Sequence, residues 1–312
     1  MCHRALVTEP AASDTPPADS QSTPQRTAFG LSVLRLCRIG TWFSPAADVL
    51  ASTAIAQIAL GSDVVRAMFA SVLLYGAGMV WNDIADLKVD RVQRPERPLP
   101  SRDLSMTFAV VFGTALLAGG LLLSPCRMHH GLIAALILFY DFASKRAQWL
   151  GALNMGVLRG LNLATAMALA PEPLPDEISQ ALLIAAVCYG IYIVAVTIVG
   201  IFEDTPSVSS RAVSAVQSAP PLVAFAGIAA VQGTFWPAPA IAALPMLWFL
   251  RRNARTREWT QATIRKSMMF LLLGTMLYTA LLTLAAGRWP EALGIAAAIP
   301  IARRIARSIA LT

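Results

Sequence analysis

Apolar residues run along this chain in blocks of about the length that crosses a hydrocarbon layer, each closed by turn residues or charge. The blocks predict helices over 41–60, 65–82, 107–123, 131–142, 152–170, 180–202, 220–231, 238–250 and 268–286. A further apolar piece, 291–302, is short and carries Pro300, which makes it either a tenth span or a re-entrant segment. The pattern predicts an all-α fold, a polytopic transmembrane helical bundle of about nine helices. Residues 1–30 are rich in Ala, Ser, Thr, Pro and Asp and cannot bury a core. They are read as a disordered cytoplasmic tail ahead of a transmembrane domain over 31–312.

Composition agrees with lipid as the solvent. Of 312 residues, 56% are hydrophobic and 14% charged, whereas a soluble domain is about one-quarter charged. The mean hydropathy is +0.59. The net charge of +7 matters less than its placement. Lys88, Arg91, Arg94, Arg97, Arg102, Lys145, Arg146, Arg211 and the basic run 251–266 fall on one set of connections. Little beyond Arg66, Arg127 and Arg288 falls on the other. The positive-inside rule puts the first set, and the N-terminus, in the cytoplasm, as expected for a bacterial inner-membrane protein. The run after Leu250 then reads as a topology and headgroup device, and no nucleic-acid partner is expected. Cys2, Cys37, Cys126 and Cys188 lie far apart and read as free thiols. The adjacent His129 and His130 read as a polar loop rather than a metal site.

Against this apolar background, residues 81–101, "WNDIADLKVDRVQRPERPLPS", concentrate acids, bases and prolines. Asn82, Asp86 and Asp90 are spaced i, i+4, i+8, so a helix continuing through them carries all three on one face, with Asp83 one step round. Oxygen donors stacked without an interleaved cation repel unless something positive joins them. Mg²⁺ fits, and it favours a phosphorylated substrate because it completes its shell with water and phosphate oxygens. The competing reading is a solvated loop whose acids pair with Lys88, Arg91 and Arg94. Two features weigh against it: acids beside a bilayer are costly unless they face a cavity, and prolines 95, 98 and 100 aim Arg94 and Arg97 as phosphate recognition requires.

The pattern N-D-x-x-D-x-x-x-D followed by R-P-x-R-P-L-P-S resembles the first aspartate-rich signature of the UbiA superfamily of intramembrane prenyltransferases. Residues 140–166, "YDFASKRAQWLGALNMGVLRGLNLATA", resemble the family's fourth and fifth helices, in wording closest to its EboC-like branch. The resemblance implies a Mg²⁺-dependent transfer of an isoprenoid chain from a prenyl diphosphate to an aromatic or other hydrophobic acceptor, within a helical bundle open to membrane lipid. Asn82, Asp83, Asp86 and Asp90 would hold the metal. Arg94, Arg97, Lys145, Arg146, Arg159 and Asn162 would hold the diphosphate, and Asp86, Asp90, Lys145 and Tyr140 would be catalytic. Arg159 and Asn162 are expensive in lipid unless they line a polar site. The family's second acidic signature is reduced here to Glu203 and Asp204. Neighbours on a helix point about 100° apart, so a second metal site is incomplete. The alternative is a non-catalytic or transport-coupled member that binds or moves an isoprenoid.

Overall fold

A computed structural model describes residues 28–203, 208–231 and 235–311, and among them it contains thirteen α-helices and no strand. The chain opens with α1 (Phe29–Leu36), a 3-10 turn at Ile39–Thr41, α2 (Phe43–Ile55) and α3 (Ser62–Ala85). The short α4 (Leu87–Gln93) leads to α5 (Met106–Leu123) and α6 (Arg127–Phe142). After a second 3-10 turn at Ser144–Arg146 come α7 (Gln148–Leu163), α8 (Thr165–Leu169) and α9 (Asp176–Glu203). The remainder is α10 (Ser210–Ala230), α11 (Ala238–Arg255), α12 (Gln261–Ala285) and α13 (Trp289–Leu311).

Local chemistry sets several boundaries. Ser105, Ser209 and Thr260 each cap a helix by accepting a hydrogen bond from an amide in its first turn. α3, α5, α9, α10 and α12 are long and apolar enough to cross a membrane by length and composition. Val111, Leu122, Val187 and Leu244 stand exposed on the outside of the bundle, which is stable where the surroundings are lipid.

Inside, close packing rests on small residues. α7 and α9 cross antiparallel, and a Cβ added at Gly156 would sit 2.7 Å from the Gly190 carbonyl oxygen. One turn on, a Cβ at Gly160 would sit 3.0 Å from the Ala186 carbonyl oxygen. Without a hydrophobic drive between helices in lipid, such backbone contact is a main source of cohesion. Buried tyrosines add cross-links: the Tyr278 hydroxyl donates to the Ala185 carbonyl at 3.0 Å, joining α12 to α9.

Ion pairs mark one charged end of the bundle. Arg38, ahead of α2, pairs with Asp83 in the last turn of α3. Lys145, between α6 and α7, pairs with Asp86 just after α3. The far ends of α2 and α12 meet where Gln57 donates to the Ala286 carbonyl, so α12 also begins at the charged end, where its Arg265 pairs with Glu203 of α9.

Several sequence expectations change. Residues 1–27, including Cys2, and Asp204 lie outside the described residues, and α1 already begins at Phe29, within the stretch read as tail. The span expected from 220 starts ten residues earlier, with Pro220 and Pro221 inside the helix. Asn253 of α11 donates to the Ser214 carbonyl at 2.8 Å and the Ser218 hydroxyl at 2.6 Å, bracing the turn before those prolines. The 152–170 span divides at Ala164 into α7 and α8. Beyond Arg288, α13 is one helix through Pro300, about 34 Å long by its rise per residue, and not a re-entrant segment. His129 and His130 form the first turn of α6 rather than a loop. His130 is fully buried, its Nδ1 2.6 Å from the Ser124 hydroxyl, and the His129 Nε2 lies 3.0 Å from the Leu161 carbonyl.

Candidate active site

α3 supplies one wall of a cavity through Ser71, Leu74, Tyr75, Gly78, Met79 and Asn82. These positions recur every three or four residues and so share a helical face; from first to last they span about 16 Å of axis. α6 and α7 supply the facing walls, with Ile133 and Ile137 from the first and Met155 and Leu158 from the second. The enclosed volume is about 180 Å³. Its middle is apolar, and polar side chains gather at both ends.

At the charged end three cations clasp four oxygen-bearing side chains. Lys145 Nζ lies 2.6 Å from Asp86 Oδ1 and 3.1 Å from Asn82 Oδ1. Arg97 donates to Asp90 and, at 3.3 Å, to Asp83, and Arg38 donates to Asp83 at 3.1 Å. The single acidic stripe expected through 82, 86 and 90 therefore divides two and two. The physical reason lies at Asp86: its backbone leaves helical geometry (φ −90°, ψ 0°), ending α3 and starting α4. Asp83 and Asp90 are buried, whereas the Asp86 side chain is 32% exposed. Among the described residues Lys88, Arg91 and Arg94 make no ion pair with these acids, so the local solvated-loop reading does not describe them.

The proline-rich run folds as a compact turn. The Ser101 amide bonds the Arg97 carbonyl at 2.9 Å, the Leu104 amide bonds the Pro98 carbonyl at 3.1 Å, and Pro98 and Leu99 are buried. Arg97 is thereby fixed beneath α4. Arg94 and Arg146 are exposed and have no ion pair among the described residues.

The donor set at this mouth fits a hard cation. Asn82 and Asp86 aim two oxygens at one point, where the Lys145 ammonium lies. Among the described residues no three His, Cys, Asp or Glu side chains cluster to hold a metal. One carboxylate and one amide oxygen leave most of an octahedron to water and phosphate, which is the ordinary habit of Mg²⁺. Glu203, at the same end, is bound by Arg265 at 2.8 Å.

The inner end gathers two of the residues expected to hold the diphosphate. Arg159 lies 3.0 Å from Asp48 Oδ2 and also donates to the hydroxyls of Ser44 and Tyr189. Asn162 donates to Asp48 at 2.9 Å and to the Pro45 carbonyl at 3.0 Å, and accepts from Ser71. Both line the cavity, but their polar atoms are taken up about Asp48, which is fully buried. A guanidinium in this setting needs its partner more than it can serve a diphosphate at the far mouth. Tyr140 lines the cavity near the charged end, beside Asp141. Asp48, Arg38 and Asp141 are the site residues that sequence reasoning passed over. The first and last could have been flagged as lone acids within apolar runs, where a carboxylate is costly without a purpose.

Fold and site together define a class: an integral membrane helical bundle whose ion-paired acidic mouth opens into an apolar cavity. The chain belongs to the UbiA prenyltransferase family, whose model matches residues 43–274. Digeranylgeranylglyceryl phosphate synthase from Methanococcus maripaludis is 39% identical over 102 residues, 31% of this chain and 37% of that protein. The chain thus aligns with only about a third of the length of the curated relatives it matches. A UbiA homologue from Aeropyrum pernix superposes with a TM-score of 0.61 at 19% identity, over 77% of this chain and 96% of that one. A UbiA homologue from Archaeoglobus fulgidus, bound to DMAPP and Mg²⁺, superposes with a TM-score of 0.59 at 13% identity, over 82% and 97%. At these identities the solved structures speak for the fold.

Proposed function

We propose that this protein is a Mg²⁺-dependent prenyltransferase that moves an isoprenoid chain from a prenyl diphosphate to the hydroxyl of a hydrophobic acceptor. One observation carries the reading: Asn82, which lines the end of an apolar cavity, shares the Lys145 ammonium with Asp86. Asn82 and Asp86 would hold the cation. Bound there with the diphosphate, Mg²⁺ supplies neutralisation of the charge that builds on the leaving group. Lys145, displaced from Asp86, turns to the diphosphate, and the exposed Arg94 and Arg146 add charge-assisted hydrogen bonds. Arg97 stays with Asp83 and Asp90, bracing the mouth rather than gripping substrate. Leu74, Ile133, Ile137 and Leu158 keep water from the allylic carbon as its bond to oxygen lengthens.

The alcohol acceptor is favoured over an aromatic ring because the matched relatives are named for a glyceryl phosphate product. We also propose that the charged end and the N-terminus face the cytoplasm, on the distribution of Lys and Arg. Placement near the EboC-like branch rests on the wording of residues 140–166. The second reading, an isoprenoid carrier without turnover, draws on the pairing of Asp83, Asp86 and Asp90 with cations.

The deciding experiment incubates purified protein with Mg²⁺, prenyl diphosphates of several lengths, and glycerophosphate-type or aromatic acceptors, and follows diphosphate release. Release that is lost on chelation and in Asp86→Asn supports the transferase. Donor binding with no release from any donor supports the carrier.

A further inference from the structure

Asp141 is the penultimate residue of α6, 3% exposed, and it lines the cavity. Its Oδ2 is buried and has no hydrogen-bond partner among the described residues. A buried carboxylate oxygen left unpaired costs more than almost any other side-chain placement. The obvious partner would be Lys145, four residues on, but that ammonium is bonded to Asp86 and Asn82 instead. Three acids near it each have a cation: Asp83 has Arg38 and Arg97, Asp90 has Arg97, and Asp86 has Lys145. Among these four acids, Asp141 has a buried carboxylate oxygen without a partner, on a side chain that lines the cavity.

The charged groups that face it are Asp83 of α3, Asp86 just after that helix, Lys145 of the turn after α6, and Arg38 ahead of α2. The phenol of Tyr140 adjoins it on α6. α5 carries no titratable side chain, and Arg159 of α7 is held by Asp48. Asp141 does not complete a metal cluster either, since no three acids group closely enough among the described residues.

We propose that Asp141 is the catalytic base that takes the acceptor's proton. The inference rests on the prenyl-transfer reading above. In the step, the acceptor hydroxyl oxygen forms a bond to the prenyl C1 as the bond from C1 to the diphosphate oxygen breaks. The diphosphate leaves with the electron pair, and the hydroxyl proton passes to Asp141 Oδ2. The carboxyl then releases that proton through the mouth before the next turnover. An uncompensated carboxylate is suited to this task because no donor competes for its lone pair.

The test compares wild type, Asp141→Asn and Asp141→Glu, each first shown to be folded by its thermal unfolding in detergent. Geranyl diphosphate and a glycerophosphate lipid serve as probes, together with any longer donor on which the wild type turns over. The expected result is a kcat for Asp141→Asn lower by roughly a hundredfold or more. Its Mn²⁺ affinity, measured by paramagnetic resonance, and its affinity for geranyl diphosphate stay within about twofold of wild type. The acidic limb of the wild-type pH-rate profile disappears in Asp141→Asn and persists, shifted, in Asp141→Glu. Wild-type kcat in Asp141→Asn overturns the proposal while leaving prenyl transfer intact. Loss of Mn²⁺ affinity in step with activity also overturns it, making Asp141 a metal ligand. A wild type that releases no diphosphate from any donor overturns both readings together.

Discussion

Lys145 Nζ lies 2.6 Å from Asp86 Oδ1, so the cation expected to meet a diphosphate sits on the carboxylate expected to meet a metal. The two roles compete until substrate arrives. Removing the ammonium should therefore help the metal and harm the chemistry. Lys145→Gln is expected to bind Mn²⁺ several-fold more tightly in the absence of donor, in line with about 0.2–1 kcal/mol for a partly exposed pair, while its turnover falls. Titration of Mn²⁺ by paramagnetic resonance, with and without prenyl diphosphate, checks the first half, and diphosphate release checks the second. Unchanged affinity would show that the pair does not gate the site.

Arg159 and Asp48 form a buried pair with Asn162, Tyr189 and Ser44 completing it. Truncating one member strands the other's charge. Asp48→Ala is expected to cost roughly 3–5 kcal/mol of stability, whereas the double change Asp48→Leu with Arg159→Met costs much less. Thermal unfolding in detergent distinguishes them; equal losses would mean that the charge pairing is not what matters.

The crossing of α7 and α9 leaves no room at Gly156, where a Cβ would come within 2.5 Å of Val194 Cγ2. Gly156→Val should destabilise the bundle by about 1–3 kcal/mol through overpacking, visible as a lower melting temperature and more aggregation on extraction. Gly30, with nothing within 4 Å of a built Cβ, is the control; Gly30→Ala should melt as wild type does.

Glu203 holds Arg265 by a pair in which the arginine side chain is 64% exposed. Such a pair contributes little to stability, so Glu203→Gln should shift unfolding by under about 1 kcal/mol. Its loss should lower diphosphate release by less than about tenfold. Asp86→Asn, at the intact half of the site, should abolish release under the same conditions.

The helical class and most spans were legible because apolar run length in lipid is a direct consequence of bilayer thickness. The ends that moved did so for identifiable reasons. Pro220 and Pro221 look like a helix start, but α10 already begins at Ser210, capped by Ser209, and runs through them. The acidic mouth was legible as a motif, but its pairing was not, because Arg38, Arg97 and Lys145 reach it across turns whose geometry spacing does not encode. Arg159 was read correctly as lining a polar site, and its partner was missed because Asp48 lies 111 residues away.

The contact between Arg35 Nε and the Ile309 carbonyl joins residues 274 positions apart. Ala306 also packs against Gly40, three residues from the start of α2. The side of the mouth that carries Arg38 is therefore flanked by α13, a helix made long after α2 and α3. During synthesis, Asp83 and Arg38 can find each other early, but the wall behind them stays open until α13 arrives. The order of synthesis thus makes the contact of α13 with this side of the mouth the last to form.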